Sequence, residues 1–160
     1  MRTLNFTLFT ISLLAIILLY LDLTGVTDLL KDAVDTYALS VGLLIPLSLL
    51  FLGYVHLRQI KIYLLWLLLS VGMLFFYFQF RDAGVLQMKR GTALNSFKSL
   101  FGFLVAFQLS RLLFIKLTGR EYITPSIGGS SDLFEGRKPQ LADFIMFGLL
   151  FFTIIASQGV

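Results

Sequence analysis

The chain has no cysteine and a single histidine among its 160 residues. Without thiols it forms no disulfide, no thiolate metal site and no cysteine nucleophile. One histidine, His56, cannot by itself supply a bis-histidine haem or a zinc triad. Charged residues make up only 14% of the chain, against about 25% in ordinary soluble domains. These shortages exclude several classes of enzyme and metalloprotein.

Known catalytic signatures are missing as well. The sequence contains neither a phosphate-loop consensus nor a G-x-S-x-G elbow, and it lacks the spaced aspartates of phosphatidyl transferases. Asp28, Asp32 and Asp35 fall on one helical face, but such a charged face is usually solvated and a helix cannot wrap an ion. We therefore predict no catalytic residue, no cofactor and no metal site, and the sequence favours a non-enzymatic role.

Apolar residues are what the chain has in excess. They amount to 58% of it and include 17 phenylalanines, more than a soluble domain of this size could bury. Spanning the hydrocarbon of a bilayer takes about 20 predominantly apolar residues. Residues 3–21, 36–55, 62–80 and 144–160 contain no Asp, Glu, Lys or Arg, and residues 99–115 contain one, Arg111. The sequence thus predicts an all-α, polytopic membrane bundle in a single domain, residues 1–160.

Five transmembrane helices are expected, with one short amphipathic helix at the interface. The predicted spans are residues 4–21, 37–56, 61–80, 99–117 and 143–159. The interfacial helix is predicted at 27–36, where Thr27 would be the N-cap. Residues 118–142 form the most polar segment, and their glycines and serines predict a loop. Pro46 removes a backbone donor and predicts a kink in the second span.

The distribution of basic residues favours a cytoplasmic amino terminus and an extracytoplasmic carboxyl terminus, in a bacterial cytoplasmic (inner) membrane. On the predicted topology the amino-terminal side carries seven Lys and Arg residues and the other side five. The seven are Arg2, Arg58, Lys61, Lys116, Arg120, Arg137 and Lys138. The acidic first loop agrees with an external position.

The fourth span carries the two features that point toward interactions. Small residues recur on one stripe at Ser99, Gly102, Ala106 and Ser110, which predicts a seam where helices pack closely. Gln108 and Arg111 lie on a different face, one turn apart. Arg111 would either snorkel to the interface or have a buried partner or a lipid headgroup contact. Both residues are candidates for contact with a partner subunit or a lipid.

Three functions fit these features. The first is a structural or accessory subunit of a larger membrane complex, docking through the fourth span and the 118–142 loop. The second is a small oligomeric transporter or channel for an ion, a lipid or a small solute, although no inverted repeat supports it. The third is a lipid-modifying membrane enzyme. The expected partners are the lipid bilayer and other membrane subunits or further copies of the chain, and nucleic acid is not expected.

Overall fold

The computed structural model describes residues 2–30, 33–89, 91–125 and 138–157. The all-α prediction is confirmed, since helices make up nearly all of the regular structure in these ranges. In chain order the helices are α1 (Arg2–Leu23), α2 (Val34–Ser48), α3 (Tyr54–Leu57), α4 (Ile60–Phe80), α5 (Phe97–Thr118) and α6 (Leu141–Ala156). A π-helical stretch, Leu49–Gly53, joins α2 to α3, so that Val34–Leu57 is one continuous span.

Four helical stretches are long and apolar enough to cross a membrane, namely Leu4–Leu23, Val34–Leu57, Ile60–Phe80 and Ala93–Thr118. The fifth apolar helix, α6, has 16 described residues. At 1.5 Å per residue it is about 24 Å long, slightly short of a hydrocarbon core of about 30 Å. The end of the fifth predicted span, residues 158–159, lies outside the described residues. The chain is a multi-pass membrane protein by the length and composition of these helices.

The segment predicted as an interfacial helix differs from that expectation. Residues 27–30 form an open bend, Lys31 and Asp32 lie outside the described residues, and α2 begins at Val34. The physical reason is the Asp22 side chain at the end of α1. Its Oδ1 accepts hydrogen bonds from the backbone N–H groups of Leu29 at 2.7 Å and Leu30 at 3.2 Å. These two hydrogen bonds fold the bend back onto α1.

The loop between α4 and α5 is also structured. Gly84–Leu86 forms a 3₁₀ turn, and two short strands follow, β1 (Gln87–Met88) and β2 (Gly91–Thr92). They pair antiparallel, with Gln87 opposite Thr92. A second 3₁₀ turn, Ala93–Ser96, then leads into α5.

Contacts between side chains fix the direction of each helix. The Trp66 indole N–H donates to Asn5 Oδ1 at 3.0 Å, so the starts of α4 and α1 lie at the same end of the bundle. The Ser96 hydroxyl lies 3.3 Å from the Ala38 carbonyl oxygen, which places the starts of α5 and α2 together at the other end. We call the end that holds Asn5 and Trp66 the basic end, since Arg58, Lys61 and Lys116 lie there. The opposite end, with β1 and β2, is the hairpin end.

At the hairpin end, α2 and the 3₁₀ turn before α5 approach so closely that no side chain larger than hydrogen fits at Gly42. A Cβ atom there would lie 2.0 Å from Ser96 Oγ and 2.7 Å from the Ser96 backbone carbon. Pro46 has no N–H, so it cannot bond the Gly42 carbonyl four residues earlier. The Ser99 hydroxyl lies 2.8 Å from that carbonyl and 2.5 Å from the Ser96 carbonyl, so its one proton is shared between the two oxygens. A neighbouring helix thus offers a donor to the acceptor that Pro46 leaves open.

Helix α5 occupies the centre of the bundle and contacts α2, α4 and α6. Its buried face is aromatic and aliphatic, with Phe97, Phe103 and Leu104 fully buried. Helix α1 lies at the periphery and packs against α2 and α4. Its contacts include buried Leu19 and the Asn5–Trp66 hydrogen bond. Large apolar side chains cover the outer surfaces of the four membrane-length helical stretches and of α6, as expected for helices in contact with lipid.

Candidate functional site

Arg111 has a partner within the chain, and that partner is Glu121. Arg111 Nε donates to Glu121 Oε2 at 2.9 Å, and Nη2 donates to Oε1. The Arg111 side chain is 17% exposed and that of Glu121 34%. A two-point pair of this kind uses the planar geometry of the guanidinium and is stronger than a single contact between charges. The structure thus gives Arg111 a counter-charge within the chain, and its predicted contact with a partner subunit or a lipid stays a prediction.

Glu121 reaches Arg111 because the chain reverses after α5. Gly119 takes a left-handed conformation with φ of 69° and ends the helix. The next residues then run back against the bundle, and Tyr122, Ile123, Thr124 and Pro125 are all buried. We call residues 119–125 the return segment. The carboxylate therefore approaches Arg111 from the chain itself, which removes the need for Arg111 to reach the headgroup region.

A second arginine, Arg58, binds the same segment from the end of α3. Its Nε lies 3.8 Å from Glu121 Oε2, and its Nη2 donates to the Tyr122 carbonyl. Its guanidinium carbon lies 5.5 Å from the centre of the Tyr54 ring, within cation–π range. The Tyr54 and Tyr122 rings meet edge to face at 5.9 Å. Arg58 thus links the second span to the return segment by charge, hydrogen bond and ring contact.

The π-helical stretch of the second span takes part in this contact. The Thr124 hydroxyl donates to the Leu50 carbonyl at 2.9 Å, and the Tyr122 hydroxyl lies 3.2 Å from Thr124 Oγ1. A switch to i→i+5 hydrogen bonding disturbs the regular pairing of backbone carbonyls, and such stretches are frequent at functional sites. The Thr124 hydroxyl supplies a donor from outside the helix, next to the disturbed turn.

A third arginine, Arg120, faces the start of α6. Its Nη2 lies 3.5 Å from Asp143 Oδ2, and Asp143 is fully buried. The Asp143 carboxylate also accepts from the backbone N–H of Gln140 at 2.8 Å and of Ile123 at 3.3 Å. Asp143 therefore caps α6 and fixes the return segment with the same side chain. The residues Arg58, Arg111, Arg120, Glu121 and Asp143 are called the arginine cluster below.

The electrostatics of the arginine cluster favour the ionised carboxylate. The hydrogen bond from Arg111 is the main cause that holds the pKa of Glu121 below its usual value. Partial burial opposes this shift, and the charges of Arg111 and Arg58 reinforce it. Glu121 is consequently charged at neutral pH and in mild acid.

The predicted packing seam of α5 is distributed over two neighbours. Ser99 faces Gly42 of α2, as described above. Gly102 faces α6, where a Cβ would lie 3.9 Å from the Thr153 methyl group. Ala106 is partly buried, and Ser110 lines an apolar groove between α5 and α6.

Gln108 and Arg111, which were predicted to act together, differ in their environments. Arg111 is paired, whereas Gln108 Oε1 is buried and has no hydrogen-bond partner among the described residues. The predicted kink at Pro46 stays a prediction, since α2 runs through Pro46 to Ser48 before the π-helical stretch begins.

Sequence reasoning missed the two carboxylates of the arginine cluster and the role of Arg58. Asp143 had no evident partner in the sequence, because Arg120 and Ile123 lie about twenty residues away. Glu121 did leave a signal, since it is the only acidic residue between Asp82 and Asp132 and the closest to Arg111 along the chain. A charge within a span can be expected to pair with the nearest opposite charge that a loop can return to it.

Comparisons with known proteins add no identity. No protein-family model matches the chain, and no curated protein and no solved structure matches it either. The arrangement of its own residues is therefore the guide to its function.

Proposed function

We propose that this multi-pass membrane protein is a non-catalytic subunit of a larger membrane assembly, and that it docks through the loop 118–142 while α5 supports that loop from within the bundle. The observation that carries the proposal is the fixation of both flanks of residues 126–137. The return segment, held by ion pairs and hydrogen bonds, precedes that stretch, and the capped start of α6 follows it.

The return segment and the start of α6, which flank residues 126–137, are held by more ion pairs than a loop at the membrane surface needs. A polar loop there needs no buried ion pairs, and each buried charge costs free energy unless it is paired. Here two arginines within or beside the spans contact Glu121, and Arg120 contacts Asp143. We infer that these contacts fix the two points between which residues 126–137 are attached. Fixed attachment points lower the entropy cost when a loop binds a partner.

The composition of residues 126–137 suits a docking surface. The stretch contains four small residues in a row, Gly128, Gly129, Ser130 and Ser131. After them, Leu133 and Phe134 form a large apolar pair. Acidic residues flank this pair at positions 132 and 135, and a basic residue follows at position 137. Protein interfaces combine an apolar, often aromatic centre with a polar rim, and Leu133 and Phe134 with their polar neighbours offer both.

The transporter or channel alternative has less support from the described residues. A substrate path would be expected to use the charge of Arg111, but Arg111 forms an ion pair with Glu121. The centre of the bundle is filled by large side chains, including Trp66, Phe103 and Phe107.

The absence of cysteine makes a direct test possible. A single Ser130→Cys variant places one thiol in the loop, and Gln87→Cys places one on the exposed surface of the hairpin end. Each variant would be treated with a thiol-directed photo-crosslinker in native membranes and then purified in mild detergent. We expect a discrete heavier adduct from Ser130→Cys and none from Gln87→Cys.

Two outcomes would contradict the proposal. One is a monodisperse, uncrosslinked monomer from both variants. The other is equal crosslinking from the two ends, which would indicate random encounter in the membrane. Solute flux through proteoliposomes of the purified chain alone would instead favour the transporter alternative.

A further inference from the structure

The groove between α5 and α6 extends to the end of α5. It has a volume of about 260 Å³ and is lined by apolar side chains of both helices, such as Leu113, Leu117, Ile145 and Leu149. It runs along α5 from Ser110 to Thr118, which is about 12 Å of helix. Two further grooves, beside α1, are lined by residues 9–16 with 65–73 and 8–15 with 41–48. Among these three, only the α5–α6 groove reaches the end of a membrane-length helical stretch, at Thr118.

Arg120 lies at the point where this groove meets the basic end. Its guanidinium carbon is 5.9 Å from the centre of the Phe114 ring, and Phe114 lines the groove. Its other neighbour is Asp143, beside the groove-lining Ala142. The Arg120 side chain is 26% exposed, and at 3.5 Å its contact with Asp143 is an ion pair rather than a hydrogen bond. Among the described residues, the N–H groups of the Arg120 guanidinium form no hydrogen bond. They can therefore donate to an anionic oxygen of a ligand.

The surrounding charge is mainly of one sign. Lys116 in the last turn of α5 and Lys138 before α6 are both exposed. The described part of the basic end contains six cationic side chains and two carboxylates. The cationic residues are Arg58, Lys61, Arg111, Lys116, Arg120 and Lys138, and the carboxylates are Glu121 and Asp143.

We propose that this groove is a binding site for an anionic phospholipid. One acyl chain lies in the groove between α5 and α6, and the headgroup phosphate contacts the guanidinium of Arg120. The groove and the lipid have the same order of chemical groups. The apolar groove ends at the cationic Arg120, and the apolar acyl chain of an anionic lipid ends at a phosphate. Cationic pockets between transmembrane helices bind anionic headgroups in this way.

The test uses the purified full chain and defined lipids. Protein is reconstituted in nanodiscs of equal parts phosphatidylglycerol and phosphatidylcholine, then released for native mass spectrometry, and the retained lipids are counted. Three variants are compared with the parent chain. Arg120→Gln removes the headgroup contact, Ser110→Phe fills the groove, and Lys61→Gln removes an exposed charge at the same end but away from the groove.

We expect the parent chain to retain phosphatidylglycerol in preference to phosphatidylcholine. Arg120→Gln lowers retention of phosphatidylglycerol about fivefold, the effect of one cation near a membrane surface. Ser110→Phe lowers retention of the same lipid, whereas Lys61→Gln leaves it unchanged. Ser110→Phe keeps the test decisive if Arg120→Gln fails to fold, because it leaves the arginine cluster intact.

Three results would overturn the proposal. Equal retention of the two lipids would show that the groove has no preference for anionic headgroups. An equal loss in Arg120→Gln and Lys61→Gln would assign the preference to general surface charge. Unchanged retention in Ser110→Phe would place the lipid elsewhere. Occupation of the groove by a second copy would appear as an oxidatively crosslinked dimer of Ile145→Cys, since Ile145 is 64% exposed, and would overturn it too.

Discussion

The two ends of the bundle hold their helices together by different means. At the hairpin end, small residues let α2 and α5 touch, with Gly42 against Ser96 and hydrogen bonds from serine hydroxyls to α2 carbonyls. At the basic end, arginines of two spans hold a length of returning chain by its carboxylate and its backbone. Close approach of the backbones at the hairpin end needs no charged residue. At the basic end, the ion pairs allow the return segment to pack against the bundle.

The exposed ion pair of the hairpin end shows what makes the basic end different. Arg81 and Asp82 are neighbours in sequence and lie 3.4 Å apart, but their side chains are 50% and 89% exposed. Such pairs contribute at most about 1 kcal/mol. The arginine cluster is largely removed from solvent and joins residues ten or more positions apart. Position within the fold, and not the number of charges, decides which pairs stabilise it.

The largest effect is expected from Gly42→Ala, which tests the hairpin end. The added methyl group would meet both the side chain and the backbone of Ser96, so that α2 and α5 must separate. We expect a loss of about 3 kcal/mol in the free energy of unfolding in detergent, the upper range for overpacking. Gly72→Ala on α4 is the matched control, since a Cβ there has no atom within 4 Å. A similar loss in both variants would contradict close contact at Gly42.

A smaller effect is expected from Glu121→Gln, which tests the basic end. It leaves Arg111 without a counter-charge, and allowing for the one-third exposure of Glu121 we expect a loss of about 1–2 kcal/mol. Asp82→Asn, which removes the exposed carboxylate of the hairpin end, should change stability by less than about 0.5 kcal/mol. Thermal unfolding in detergent compares the two, and equal losses would contradict the difference between the ends.

The pH dependence of Glu121→Gln sharpens that test. The pKa of Glu121 is lower in the folded protein than in the unfolded chain, chiefly because of the hydrogen bond from Arg111. Its contribution to stability is therefore fully present above the unfolded pKa and is lost as the pH falls through the folded pKa. The stability difference between the parent chain and Glu121→Gln should stay constant from neutral pH to about pH 5 and shrink only in stronger acid. A difference that vanishes already near about pH 6 would contradict the lowered pKa.

The smallest effect is expected from Ser99→Ala, about 1 kcal/mol, because hydrogen bonds between membrane helices are worth about 0.6–2 kcal/mol. The loss should depend on Pro46. In Pro46→Ala a backbone N–H becomes available to the Gly42 carbonyl, so Ser99→Ala should then cost less. Unfolding of the two single variants and the double variant measures this, and equal costs in both backgrounds would show that Ser99 does not replace the missing donor.

Composition alone predicts the class of fold and most of the spans, because charge-free segments of this length require lipid. It does not predict the π-helical stretch after Pro46 or the bend at 27–30, since both involve side chains from elsewhere, Thr124 and Asp22. The polarity of the loop 118–142 does not indicate that residues 122–125 turn inward. That reversal needs Gly119 in a left-handed conformation and an arginine placed to bind Glu121, which only the assembled bundle reveals.

A double-mutant cycle on Arg111 and Glu121 tests the internal ion pair most directly. The free energy of unfolding is measured in one detergent for the parent chain, Arg111→Gln, Glu121→Gln and the double variant. An intramolecular pair predicts that the double variant loses less than the sum of the single losses, by about 1 kcal/mol or more. Losses that add to within about 0.5 kcal/mol would show that the two side chains act independently, and would contradict the account of the basic end.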